Sequence, residues 1–144
     1  MSEPVRLLGV DYGTVRIGLA VTDPERKIAF PLATYERRGQ EKDAAFFASL
    51  IAEQDIRQIV VGLPIHLDGR EGTKAAEARE FGRWLAEATK LPVVYFDERF
   101  TTVHAEQLLW LAGMTHKRRK ERRDKVAAQI MLQGYLDGGE MPQQ

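Results

Sequence analysis

The chain opens on an apolar run, Val5-Arg6-Leu7-Leu8-Gly9-Val10, that ends at Asp11. A run this short, bounded by the Tyr12-Gly13-Thr14 turn signal, predicts a buried strand. Val15-Arg16-Ile17-Gly18-Leu19-Ala20-Val21-Thr22 then alternates and predicts a second strand, closed by Asp23-Pro24. Residues 28–35 predict a third. Pro31 lies within it and cannot donate to a ladder, which favours an edge position or a bulge. Three strands on short turns predict an antiparallel meander.

The rhythm then changes to helix and strand in alternation. Ala44, Phe47 and Ile51 share one helical face over about residues 40–54, and Ile59-Val60-Val61-Gly62-Leu63 is a β-branched run bounded by Pro64. The clearest helical period covers about 73–90, with Ala78, Phe81, Trp84, Leu85 and Ala88 at the required spacing. Pro92 follows, and Val93-Val94-Tyr95-Phe96 predicts a fifth strand. Thr101 or Thr102 suits the N-cap of a helix whose stripe is Ala105, Leu108, Leu109 and Ala112, stopped by Gly113, with Trp110 off the stripe. A last helix is predicted from about Arg123 to Leu136, with Ala127, Ile130 and Met131 inward and Gly138-Gly139 ending it. The order βββαβαβα with one more helix predicts an α/β domain on a mixed five-stranded sheet, part antiparallel and part parallel. The domain is expected over residues 1–138, with a short tail at 139–144.

That topology locates the chemistry. Ligands of such sheets bind at the carboxyl ends of the parallel strands. Asp11 ends the first predicted strand, Asp97-Glu98 ends the fifth, and Asp124 falls in the first turn of the predicted last helix. If the first, fourth and fifth strands are neighbours, these acids converge. Converging carboxylates repel unless a cation lies between them. With no cysteine in the chain, oxygen ligands point to Mg²⁺ or Mn²⁺ rather than zinc. Two such ions about 4 Å apart can activate a water and stabilise the leaving oxygen of a phosphodiester. Taken singly, each acid has a plainer reading: Asp11 as a turn residue, Asp124 as a helix-dipole partner, Asp97-Glu98 as loop charges. Two of them at strand ends, with the third on the helix beside them, favour a site.

Composition changes this picture at one place. The 144 residues, 44% hydrophobic and 29% charged, suit one domain with a real core. The 21 basic and 21 acidic residues leave no net charge, which argues against a phosphate-rich partner only if charge is evenly spread. It is not. Lys117, Arg118, Arg119, Lys120, Arg122, Arg123 and Lys125 face only Glu121 and Asp124, a formal +5 that leaves −5 elsewhere. A run of this kind is often only a solvated loop, but here it leads into the helix presenting Asp124, where it would lay a phosphate chain beside the acids. The start of the chain lacks a basic region followed by an apolar one, and no apolar run approaches the roughly 18 residues of a membrane span, so a soluble cytoplasmic protein is expected.

Four ordered blocks now carry a resemblance: Gly9 to Ala20 (GVDYGTVRIGLA), Val61-Gly62-Leu63-Pro64 with Asp68-Gly69, Asp97-Glu98-Arg99-Phe100-Thr101-Thr102, and Asp124 to Leu136 (DKVAAQIMLQGYL). Over nearly the whole chain the sequence resembles the YqgF, or RuvX-like, family. The resemblance implies an RNase H-like fold and a nuclease; members are described as Holliday-junction resolvases and as nucleases processing the 5′ end of pre-16S ribosomal RNA. It makes Asp11, Glu98 and Asp124 the catalytic, metal-binding acids, with Asp97 a helper or a partner of Arg99. Arg16, Lys117, Arg118, Arg119, Lys120, Arg122 and Arg123 become candidate nucleic-acid contacts, and Gly13 and Gly18 fit backbone needs of the first hairpin. The family's usual Leu-Asn-Met-Asp-Gly turn is here Ile65-His66-Leu67-Asp68-Gly69, so an imidazole stands where an amide is usual. His104 reads as a surface residue.

The expected protein is thus a metal-dependent phosphodiesterase acting on RNA, or on single-stranded or branched DNA, with two Mg²⁺ or Mn²⁺ ions. Resolution of a junction would call for a homodimer, and trimming an RNA end for one site. Two other readings stand beside it. One is a catalytically silent nucleic-acid-binding module, against which all three acids speak. The other is an ATPase of the actin and sugar-kinase type, whose first phosphate loop Asp11-Tyr12-Gly13-Thr14 resembles but whose second domain 144 residues cannot supply.

Overall fold

A computed structural model of the chain describes residues 5–98 and 116–138, without the side chains of 116–123. The elements are β1 (Arg6–Asp11), β2 (Arg16–Thr22), β3 (Ala29–Glu36), α1 (Gln40–Gln54), β4 (Ile56–Leu63), α2 (Thr73–Thr89), β5 (Val93–Asp97) and α3 (His116–Gly138). The helix expected over about 101–112, with Thr101, Thr102, His104, Trp110 and Gly113, lies outside the described residues.

The strands form one sheet in the order β3-β2-β1-β4-β5. The first three pair antiparallel, and β1, β4 and β5 run parallel. This is the mixed five-stranded sheet that the sequence predicts. Pro31 satisfies both of its alternatives. It lies on β3, which ends the sheet, and the register slips beside it, with Ala20 facing Pro31 but Leu19 facing Ala33.

Strand alternation sorts the core into two layers. Leu8, Val10, Ile17, Leu19, Ile59, Val61 and Leu63 pack with Phe47 and Leu50 of α1 and Ala78, Phe81 and Leu85 of α2. On the opposite face Leu7, Ala20 and Val60 meet Ala128, Met131 and Leu132 of α3. Gly9 lets α3 close on the sheet, since a Cβ there would stand 3.0 Å from that of Leu132.

Several boundaries and faces differ from expectation. The last helix begins at His116 instead of Arg123, so Asp124 sits in its third turn and the basic run is helical in backbone, not a loop before the helix. Apolar spacing could not mark that start, because the first turns hold only polar residues, although Lys, Arg and Glu are good helix formers. The inward face is Ala128, Met131 and Leu132, while Ala127 and Ile130 are half-buried. β4 starts at Ile56, before the β-branched run begins. On α1 the buried stripe is Asp43, Phe47 and Leu50, with Ala44 and Ile51 half-buried. On α2, Trp84 is half-buried against Phe81 and Ala88 is exposed, because the helix turns Ala75, Ala78, Gly82 and Leu85 to the sheet.

Candidate active site

Because β1, β4 and β5 are parallel, their carboxyl ends share one edge of the sheet, with Val10 beside Val61 and Leu63 beside Asp97. The pleat then decides which side chains meet. Tyr12 turns to the α1/α2 layer and packs on Phe81, with ring centroids 4.8 Å apart. Its neighbour Asp11 takes the opposite direction, toward α3. On β5, Val94 and Phe96 belong to the α3 layer and Tyr95 to the other. Continued alternation brings Glu98 to the α3 side and leaves Asp97 toward α2, where its charge acts on Glu71. Glu98 is thus the member of the adjacent pair that meets Asp11.

Three glycines give the site its clearances. A Cβ on Gly62 would overlap the Glu98 carboxylate, one on Gly18 the Asp124 carbonyl, and one on Gly13 the carbonyl of Arg16. Gly13 and Gly18 are legible from the hairpin, whereas the role of Gly62 is not. Its only trace in the sequence is a glycine interrupting a β-branched run.

The carboxyls of Asp11 and Glu98 are closely surrounded by protein, although both residues keep some solvent exposure. Burial raises the Asp11 carboxyl above the ordinary aspartate range; a hydrogen bond with Glu98 works against that rise, and the Asp124 charge adds to it. Glu98 is pushed well above the usual range by burial, by the Asp11 charge, by donating its proton to Asp11, and by Asp97. The two carboxyls face each other within hydrogen-bonding reach, so ionising both would set their charges against one another. Asp124 accepts a hydrogen bond from Arg16 Nε at 3.0 Å, in a partly exposed ion pair. Arg16 therefore faces the acids from β2.

Among the described residues, no three acidic or histidine side chains are gathered tightly enough to form a metal cluster by themselves. The donor set nevertheless suits a hard divalent ion. It is all carboxylate oxygen, and two of its members face each other where a cation would relieve their repulsion. The side chains of Lys117, Arg118, Arg119, Lys120, Arg122 and Arg123 lie outside the described residues; their backbone forms the turns of α3 that lead to Asp124.

The loop after β4 is held as a small hairpin by a bridge between Ile65 and Glu71, with His66 N donating to Arg70 O at 2.9 Å and Gly69 N to His66 O at 2.8 Å. Asp68 accepts from the Arg70 backbone N at 3.0 Å and from its Nε at 2.7 Å. The His66 ring rests against Gly72 at the start of α2, and a Cβ there would overlap it.

A second polar cluster escaped sequence reasoning. Asp43 is fully buried and accepts from Tyr35 OH at 2.6 Å, Arg38 N at 2.9 Å and Arg37 Nε at 3.3 Å. Arg37 also donates to Tyr12 OH at 3.1 Å and lies over the Tyr12 and Phe81 rings. The end of β3 is thereby tied to α1 and to the residue beside Asp11. The only sequence signal was an acid at an inward helical position, one turn before Phe47.

Among the described residues no helix is long and apolar enough to cross a membrane. Residues 5–138 match a family model described as "RuvX: Holliday junction resolvase". A Rhodopirellula baltica protein named "Putative pre-16S rRNA nuclease" is 48% identical over 132 residues, covering 92% of this chain and 76% of the relative. One of the same name from Syntrophomonas wolfei is 43% identical over 137 residues, covering 95% and 97%. Among solved structures, T. thermophilus RuvC in complex with a Holliday junction substrate superposes with a TM-score of 0.58 at 15% identity, covering 94% of this chain and 98% of that one. The fowlpox virus resolvase in complex with Holliday junction DNA gives 0.55 at 10% identity, covering 92% and 97%. At these identities the structural match concerns the fold, and it agrees with the RNase H-like sheet expected from the sequence.

Proposed function

Since the chain belongs to the RuvX family of nucleases, we propose that it hydrolyses phosphodiester bonds at the Asp11–Glu98–Asp124 edge of its sheet, with a divalent metal, Mg²⁺ or Mn²⁺, held by those three acids. The observation that carries this reading is the close approach of the Asp11 and Glu98 carboxyls at the carboxyl ends of β1 and β5, with the charge of Asp124 in reach. A pair so placed is costly in the free protein and is relieved by a cation. When bound, the metal supplies the charge that activates a water and stabilises the leaving oxygen.

The chain's own residues do the rest. Asp11 and Glu98 would hold the cation between their facing carboxylates, releasing to solvent any proton bound there. Asp124, rigidly placed by the contact of its backbone with Gly18, offers its carboxylate from the facing helix. Arg16 stands within hydrogen-bonding distance of Asp124 and is positioned to meet a substrate phosphate there. The basic turns of α3, Lys117 to Arg123, extend the phosphate track away from the acids.

The relatives' names favour an RNA substrate, the 5′ end of pre-16S ribosomal RNA, processed in the cytoplasm by one active site in a single domain. The family description favours a second substrate, the Holliday junction, whose symmetric resolution would require a homodimer. Incubation of the purified protein with precursor RNA, single-stranded DNA and junction DNA, in Mg²⁺ and then Mn²⁺, separates these. Preferred cleavage of the precursor supports the RNA reading. Paired cuts in the junction favour the second, and binding without any cut favours a silent module.

A further inference from the structure

On the far side of the sheet edge an open groove of about 360 Å³ runs between β3 and α1, lined by Tyr35, Arg38, Lys42, Ala45, Phe46 and Ser49. Its chemistry is sharply divided. Tyr35 and Phe46 are stacked at 3.8 Å and nearly parallel, and Tyr35 spends its hydroxyl on Asp43, so the pair offers apolar ring surface. Arg38 and Lys42 are exposed, neither forms an ion pair among the described residues, and the lining holds no carboxylate. Unpaired cations beside a stacked aromatic pair complement one class of ligand, a chain of phosphates carrying planar bases.

The groove and the acids lie at the same end of the sheet, on its opposite faces. β3 runs in the same direction as β1, so both end at the same edge of the sheet. In register, Asp11 faces Gly18 and Gly18 faces Thr34, which puts β3 two strands from Asp11, roughly 10 Å at about 5 Å per strand. Arg16 lies between, opposite Glu36, and Arg38 follows two residues after Glu36. The groove lies on the α1/α2 face and the acids on the α3 face, so a strand joining them would cross the carboxyl end of the sheet, where Arg16 and Arg38 stand. The neighbouring Arg37 is engaged by Asp43 and Tyr12.

We infer that this groove is a subsite for an unpaired segment of the nucleic-acid substrate, with Arg38 and Lys42 gripping its phosphates and the Tyr35–Phe46 stack receiving a base. The inference rests on the nuclease reading for its ligand but not for its test. It implies that the protein prefers substrates whose single-stranded extension is long enough to reach from the cleaved bond across the end of the sheet.

The test is binding of a fluorescein-labelled 12-nucleotide oligouridylate to the full chain in EDTA, followed by anisotropy over a salt series. Arg38→Glu with Lys42→Glu should weaken binding about tenfold or more and reduce the salt slope by about 1.4, the value for two phosphate contacts on a single strand. Ser49→Trp, which fills the groove without changing charge, should weaken it about fivefold. The charge-matched control Lys27→Glu with Arg57→Glu, at the opposite edge of the sheet, should change it less than twofold. Melting curves identify any variant that fails to fold, and the Ser49→Trp result then decides. Groove variants that bind like the control, or a wild type that binds no oligouridylate, would overturn the inference. Because the assay contains no metal and reads no cleavage, loss of binding in the groove variants stands even if Asp11→Asn were to cleave normally. Conversely, an inert groove would leave the three-acid site untouched.

Discussion

The backbone of Asp124 lies against Gly18 so closely that a single methyl group on Gly18 would overlap the Asp124 carbonyl oxygen. Helix α3 is thereby registered on β2 at the residue proposed as the third acid of the site. The same pair of elements is joined by the ion pair from Arg16 to Asp124.

Gly18→Ala should therefore act on stability and activity together. Its obstacle is backbone, which cannot swing aside, so α3 must shift, at a cost of about 1–3 kcal/mol in a urea melt. Gly62→Ala meets only the flexible end of Glu98. It should melt closer to wild type yet lose most of its cleavage. Equal stability losses in the two variants would contradict this division.

The acids should destabilise the metal-free protein. A carboxyl whose folded-state pKa is raised binds its proton more tightly in the folded chain, so stability falls as pH rises through the folded pKa. Burial raises both Asp11 and Glu98. Asp11→Asn is accordingly expected to raise the metal-free Tm at pH 7, by about 2–4 °C for each kcal/mol regained. In wild type, millimolar Mg²⁺ or Mn²⁺ should raise Tm in proportion to the logarithm of its concentration, and Asp11→Asn should lose that response. Scanning calorimetry with and without EDTA reads both effects; an unchanged metal response in Asp11→Asn would count against the site.

The Asp43 cluster predicts sensitivity at both ends of the pH scale. Burial pushes the Asp43 carboxyl up, but hydrogen bonds from Tyr35, the Arg38 backbone and Arg37 bring it below its ordinary value, so it stabilises the fold above that value and the benefit is lost as pH falls through and below it. Tyr35 is raised from 10.0 to about 12 by burial and by its bond to Asp43. Its contribution is complete below pH 10 and disappears as pH climbs toward 12. Tyr35→Phe should flatten the alkaline limb of a Tm–pH profile. Asp43→Ala, which strands the Arg37 and Tyr35 donors, should cost about 3 kcal/mol. A profile identical in wild type and Tyr35→Phe between pH 9 and 12 would contradict the assignment.

Much of this was legible in the sequence where apolar spacing carried the information. The three-stranded meander, the parallel strands after it and the edge position of Pro31 follow from period and punctuation. The start of α3 was not legible, because its first turns are too polar to show a period, and so Asp124 fell two turns too early in the helix. The convergence of acids could be anticipated from strand ends, but the choice between Asp97 and Glu98 needed the pleat continued from Val94 and Phe96. Gly62 and Asp43 depend on contacts across 36 residues and on a fully buried carboxylate, which local pattern does not encode. The zero net charge is a balance between an acidic body and the basic turns of α3.

Asp11, Glu98 and Asp124 are proposed to form one metal-dependent hydrolytic centre. Its most direct test is a time course of product formation from pre-16S RNA carrying its 5′ extension, in Mg²⁺ or Mn²⁺, for wild type and Asp11→Asn. Wild type should cleave, cleavage should cease in excess EDTA, and an Asp11→Asn protein with unchanged circular dichroism should cleave at least about 100-fold more slowly. Cleavage at the wild-type rate by Asp11→Asn, or by wild type in excess EDTA, would contradict it.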